Sequence, residues 1–317
     1  MEIDKIICGD TLTELKKFPD ECIDCVITSP PFFNLRDYGV AGQIGLEKTW
    51  QEYIGKLIII FNEVKRVLKK TGSCFVNLGD SYNGNKKGNT SEKWKKINTD
   101  NFQKKKQEMS DKSLILIPHR FAIAMIDNKW ILRNTLLWVK PNVMPESVQD
   151  RWKKAHEYIF FFVKSKKYFF NLDAIRTPHK QVSINRAKYE QGRNALGLNP
   201  SSMGKKYEGN KRYLGMPARM VKLNPKGAIP PDYFLVNTNC TENDTITEHH
   251  ATYPQKLIVP LIKAGSPEEG IILDPFNGSG TTCLVARYLG RKYIGIDISP
   301  EYCKIAEQRL KQDLLPL

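Results

Sequence analysis

Two short runs in this chain combine residue types that could do chemistry. The first, Thr28-Ser29-Pro30-Pro31-Phe32, places a hydroxyl, two ring-locked residues and an aromatic directly after an apolar run. Proline fixes its own φ and has no amide donor, so the turn offers carbonyl and hydroxyl oxygens as acceptors. Such a turn can grip an amino group on a flat base. The Pro30 carbonyl and the Ser29 hydroxyl would accept its two hydrogens, draw the nitrogen towards tetrahedral geometry and aim its otherwise delocalised lone pair at an electrophile. Phe32 would stack on the base, which is out of reach while it stays in a helical stack. The chemistry needs neither a covalent intermediate nor a metal.

The second run, Asp274-Pro275-Phe276-Asn277-Gly278-Ser279-Gly280-Thr281-Thr282, has the mechanics of a nucleoside cradle. A strand over residues 271–273 leads into it, a helix from 282 to 289 leaves it, and a second strand over 293–297 ends in Asp297. Gly278 and Gly280 allow a sharp turn and close approach of a ligand. Asp297 stands where a carboxylate accepts both hydroxyls of a ribose. The third glycine of a dinucleotide fingerprint is missing, and so is the lysine of a phosphate-binding P-loop.

Around these runs the chain alternates strand and helix, which predicts a parallel α/β sheet. Residues 22–27 read as a buried strand that the prolines stop. Helical periodicity covers 50–70, with Gly72 as its stop, and a strand follows over 73–78. Further on, a helix is expected over 118–127, strands over 132–139, 156–163 and 168–171, a helix over 255–263, and a last helix over 300–310 opened by Ser299 and Pro300. Residues 83–112 carry little apolar periodicity and read as a mobile basic insertion. Residues 176–231 turn to Gly, Pro, Asn and basic types with interspersed tyrosines, the pattern of an inserted recognition segment.

Composition bounds the class. The 317 residues are 41% hydrophobic and 26% charged, ordinary for a globular protein. No run is long enough to span a bilayer and the first residues lack a secretory pattern, so a cytosolic enzyme is expected. The seven cysteines include the pair Cys22 and Cys25 but no second pair at zinc spacing, and no metal site is predicted. The net charge of +15 is concentrated, with +10 in residues 176–230 and +5 in 83–112. A neutral body with two basic segments suits a polyanion, because neutralising phosphates releases counterions.

On these motifs the chain resembles the β group of DNA amino-methyltransferases, in which the catalytic run precedes the target-recognition region and the cofactor run comes last. The similarity takes in Gly9-Asp10, residues 28–39, Gln43-Ile44-Gly45-Leu46-Glu47 and residues 250–309. It implies a permuted Rossmann-like methyltransferase fold, with a mostly parallel seven-stranded sheet, helices on both faces and an inserted target-recognition region. Residues 1–175 would form the catalytic half, 176–235 the recognition region and 236–317 the cofactor-binding half. S-adenosyl-L-methionine is the implied cofactor. Asp274, Phe276, Gly278, Gly280 and Asp297 would line its site, with Asp274 on the methionine ammonium, Asp10 near the adenine end, and Pro254 and Lys256 closing over the methionine end. Ser29, Pro30, Pro31 and Phe32 carry over as the catalytic tetrapeptide. Asp37 and Tyr38 follow it with no assigned role.

The implied activity is site-specific methylation of double-stranded DNA in a restriction-modification setting. A cognate endonuclease and a second copy of the chain are the further partners considered. Serine in the first tetrapeptide position points to cytosine N4, with adenine N6 as the alternative, since a hydroxyl accepts from either amino group. C5 methylation is disfavoured because no cysteine follows a proline. Lys205, Lys206, Lys211 and Arg212 are the expected phosphate contacts. The alternative of another class is a DNA-binding protein that keeps the fold without the activity.

Overall fold

The computed structural model describes residues 1–84, 106–195, 223–238 and 253–311. Apolar residues at helical spacing build α2 (Trp50–Val67), which buries Tyr53, Leu57, Phe61 and Val64 and is capped by the Thr49 hydroxyl on the Glu52 amide (3.2 Å). The helix expected to reach residue 70 stops at Val67. Leu68 turns to extended backbone (ψ 133°) while its amide still donates to the Val64 carbonyl, so β3 (Leu68–Leu78) starts without a loop and is longer than the strand predicted over 73–78.

The other strands are β1 (Lys5–Cys8), β2 (Ile23–Thr28), β4 (Ile131–Val139), β5 (His156–Val163), β6 (Tyr233–Leu235), β7 (Ile271–Asp274) and β8 (Lys292–Asp297). The other helices are α1 (Thr11–Leu15), α3 (Ile117–Asp127), α4 (Gln181–Ala195), α5 (Gln255–Gly265), α6 (Thr281–Tyr288) and α7 (Pro300–Lys311). The strands form one sheet in the order β1-β8-β7-β2-β3-β5-β4-β6. β5 runs antiparallel to both of its neighbours, and all other pairs are parallel. The sheet therefore has eight strands where seven were expected. β1 and β6 are not among the strands predicted above, and the three residues of β6 pair in parallel with Leu137, Trp138 and Val139 at the end of β4.

Alternation along the strands serves two cores, one on each face. Cys74, Val76 and Leu78 of β3 face the cluster that holds Leu15, Phe61 and Phe121 from α1, α2 and α3. Phe75 faces the other, with Leu261, Val285 and Ala306 from α5, α6 and α7. Residues 168–171 do not form the predicted strand. They run as a connector fastened by two backbone hydrogen bonds, from the Phe169 amide to the Thr71 carbonyl and from the Asn171 amide to the Ala264 carbonyl (2.8 Å each), and join no ladder.

The chain divides into two compact units, Met1–Asn171 with Pro231–Leu317, and Leu172–Pro230. The first holds the sheet. In the second, the Asp173 carboxylate takes both Arg176 (2.7 Å) and Lys226 (2.6 Å), and Thr177 bridges to Ala228. Its helix α4 lies in the stretch read as an inserted recognition segment. Lys205, Lys206, Lys211 and Arg212 lie outside the described residues, as does most of the basic segment 83–112. Among the described residues, no helix is long and apolar enough to cross a membrane.

Candidate active site

β2 and β7 are parallel neighbours, with Cys25 opposite Ile272 and Val26 opposite Leu273, so the two motif runs leave the sheet at the same edge. The Thr28 hydroxyl donates to the Asp274 carboxylate across the join (2.6 Å). Beyond it lies a cavity of about 810 Å³. Ser29, Pro30, Pro31 and Phe32 line it from one run, and Phe276, Gly278 and Asp297 from the segment after β7. The C-terminal edge of an open parallel sheet is where α/β folds place ligands.

Asp297 ends β8 with each carboxylate oxygen held by one backbone amide, Gly278 (2.7 Å) and Ser299 (2.9 Å). The remaining lone pairs can accept from two vicinal hydroxyls in the cavity it lines. Burial pushes its pKa up, and the hydrogen bonds from the two backbone amides act against that shift. Gly278 has φ +50°, and a side chain there would meet nothing within 4 Å, so the backbone faces open space. Gly280 has a different duty: at φ +84° it precedes α6, and a Cβ would stand 2.8 Å from that of Ala306 on α7. It does not line the cavity.

Asp274 is also set apart. It is 1% exposed, and its carboxylate accepts from Thr28, Tyr253 (3.0 Å), Thr282 (2.7 Å) and the Phe276 amide (3.1 Å). Burial raises its pKa against these four donors. It lies outside the cavity lining, which at this point is formed by Tyr253. Pro254 is the buried N-cap of α5 and Lys256 is exposed on that helix; neither lines the cavity. Asp10 does line it, and also caps α1 by accepting from the Thr13 amide (2.9 Å).

On the catalytic side, Ser29 Oγ donates to Asn77 Oδ1 (3.2 Å), while Asn77 Nδ2 donates to the Tyr158 carbonyl (3.2 Å). Since the amide nitrogen of Asn77 is committed to β5, its oxygen must face Ser29, and the serine lone pairs are left for the cavity. The Pro31 carbonyl is taken by the buried Tyr53 hydroxyl (2.9 Å), which fixes the proline turn from α2. The loop after Phe32 is tied by Gln43, which accepts from the Tyr38 amide (2.7 Å) and donates to the Arg36 carbonyl (3.2 Å). Asp37 caps Gly39 (2.8 Å), and Tyr38 meets Tyr302 edge-on at 6.1 Å between ring centroids. The far wall holds Trp138, with the paired Lys140 and Glu157; the Lys140 ammonium lies 4.1 Å from the centre of the Trp138 ring.

Several site residues had no signal in the motifs. Asn77 lies on β3, well along the chain from Ser29, and Tyr253 lies outside the run it serves, just before α5. Arg309, buried on α7, donates from Nη1 to the Ser279 carbonyl (2.7 Å) and to the Thr281 hydroxyl (3.1 Å), stitching the cofactor loop to the last helix.

A sheet with two such loops at one edge, closed around a cavity of this size, invites comparison with known proteins. The family model described as DNA methylase matches residues 23–308. The chain belongs to this N6/N4 DNA methylase family. It is 35% identical over 307 residues to the type II methyltransferase M.XycI of Xanthomonas campestris pv. cyanopsidis, covering 96% of this chain and 86% of that one. The type II methyltransferase M.SmaI of Serratia marcescens is 32% identical over 308 residues, covering 96% and 90%. Among solved structures, the cytosine-N4-specific PvuII DNA methyltransferase superposes with a TM-score of 0.65 at 20% identity, covering all of this chain and 89% of that one. The complex of M1.HpyAVI with S-adenosylmethionine gives 0.54 at 18% identity, covering 97% and 99%. These two share the fold.

Proposed function

We propose that this DNA methyltransferase acts on the exocyclic N4 of a cytosine turned out of the duplex, at a specific sequence and in a type II restriction-modification setting. S-adenosylmethionine, the methyl donor of the family, supplies an electrophilic methyl on its sulfonium. The residues suit it: an anchored carboxylate faces the cavity at Asp297, and the space beside Gly278 is open. Asp297 would hold the ribose hydroxyls, and Phe276 and Tyr302 would offer aromatic surface to the adenine.

The observation that carries the reading is Ser29, an acceptor whose own proton is committed to Asn77. Ser29 and the Pro30 carbonyl would take the two amino hydrogens and present the nitrogen lone pair to the cofactor side of the same cavity. Serine in this position, where the family's adenine enzymes lean towards an acidic or amide residue, supports cytosine. Adenine N6 is the second reading, because the same two acceptors suit its amino group. Lys205, Lys206, Lys211 and Arg212 are proposed to contact phosphates, and a cognate endonuclease is the proposed partner. A second copy of the chain is the other proposed partner, tested by sedimentation.

The test is transfer of label from S-adenosylmethionine to plasmid DNA, followed by digestion to nucleosides. N4-methylcytosine is expected. N6-methyladenine overturns the choice of base, and no labelled nucleoside despite binding of S-adenosylhomocysteine overturns the assignment of Ser29 and Pro30. Salt-dependent DNA binding without cofactor affinity would instead favour an inactive DNA-binding protein. Replacing the four basic residues by alanine should flatten the salt dependence of binding.

A further inference from the structure

The loop from β4 to β5 carries an apolar tip to the mouth of the cavity. Met144 is 75% exposed, yet it is one of the cavity-lining residues. The tip is held on both sides. Before it, Asn142 accepts the Thr238 amide (2.9 Å), and the Lys140 amide donates to the Ala155 carbonyl (2.8 Å). After it, Glu146 pairs with Arg151 (2.8 Å), whose guanidinium lies over the Tyr82 ring, 4.2 Å from its centre. Pro141 and Pro145 flank it and narrow the backbone further. The loop thus presents a flexible thioether to water beside a site for a flat base.

Turning a base out of a duplex leaves a gap walled by the faces of its neighbours, and apolar side chains that enter such gaps offset part of the lost stacking. The geometry points to Met144 as the side chain that enters the duplex where the target base has left it. An unbranched, polarisable chain suits an irregular apolar slot. The inference rests on the extrusion step of the proposed function. Trp152, 93% exposed on the same loop, does not line the cavity and serves as the control.

The experiment is single-turnover methyl transfer by the full chain to two duplexes that carry the target sequence, mapped beforehand from modified DNA of an expressing host. One is fully paired and the other has a mismatch opposite the target base. Met144→Ala should slow transfer to the paired duplex about tenfold and to the mismatched one far less, because the mismatch has already lowered the cost of extrusion. Affinity for S-adenosylhomocysteine should be unchanged, Met144→Leu should stay near the wild-type rate, and Trp152→Ala should affect neither duplex. Equal losses on both duplexes, or none on the paired one, would overturn the role of Met144, as would a paired-duplex defect found in Trp152→Ala alone. The extrusion reading fails separately: wild-type protein would then transfer equally to both duplexes and leave the fluorescence of 2-aminopurine at the target position unchanged.

Discussion

The cofactor loop and the catalytic loop meet in one cavity but are held in place by different means. The run from Asp274 to Thr282 is fixed by residues packed behind it: Thr28 and Tyr253 on Asp274, Ala306 against Gly280, and Arg309 on Ser279 and Thr281. Asp274, Ala306 and Arg309 stand outside the cavity lining, whereas Tyr253, and Asp297 on the Gly278 amide, also face the cavity. The Ser-Pro-Pro-Phe run has the opposite arrangement, because Ser29 both faces the cavity and takes part in the bond chain to Asn77 and Tyr158. One region takes most of its support from outside the cavity, whereas the other relies on a cavity-facing serine for both support and recognition.

Substitutions should divide along that line. Ser29→Ala is expected to have the largest effect, lowering the rate of methyl transfer by about 10²- to 10³-fold, the scale of losing one aligned acceptor, with unchanged affinity for S-adenosylhomocysteine by calorimetry. A parallel fall in cofactor affinity would show that the two regions are not separable.

Asp297→Asn should weaken S-adenosylhomocysteine binding by about 10- to 100-fold, since the new amide must turn its N–H₂ towards either the Gly278 or the Ser299 donor. The accepting form is the carboxylate, and burial has raised its pKa. Acidification should therefore weaken wild-type binding at a higher pH than an exposed aspartate would, and binding by the asparagine variant should be flat over the same interval.

Gly280→Ala tests support alone. A left-handed φ and the contact with Ala306 should cost about 1–3 kcal/mol, read as a lower thermal midpoint, while Gly278→Ala, with open space around it, should lose less stability. Tyr53→Phe should have the smallest effect. Leaving the Pro31 carbonyl unpaired should cost about 1 kcal/mol and about fivefold in transfer, with cofactor binding intact.

The same division explains what the sequence could show. The strand, loop, helix and strand from Ile271 to Asp297 were legible because their spacing, glycines and closing carboxylate are local. The pairing of two runs 246 positions apart could be anticipated only through resemblance; the hydrogen bond between Thr28 and Asp274 gives it a physical basis. Asn77 and Arg309 could not be found by motif, because nothing near them in the chain marks them as partners of Ser29 or of the glycine loop. β1 and β6 were missed because four and three residues on the sheet edges leave no period to read. The run 168–171 misled for the opposite reason, having strand-forming types and no strand to pair with. Gly280 was grouped with Gly278 as a place for close ligand approach, but only the structure shows Ala306 filling the space beside it.

The pairing of β1 with β8 has a further consequence for how the protein is made. Lys5 must wait for Ile294, and Cys8 for Asp297, before the first strand has a neighbour. Closing so long a stretch of chain is slow and entropically costly. On a ribosome the catalytic strand β2 and its helix can be in place well before β8 has left the exit tunnel. Asp297, the carboxylate proposed to hold the ribose, is made long after Ser29, so a chain halted between them has the proposed catalytic serine without that anchor, and activity should begin only once β8 has emerged.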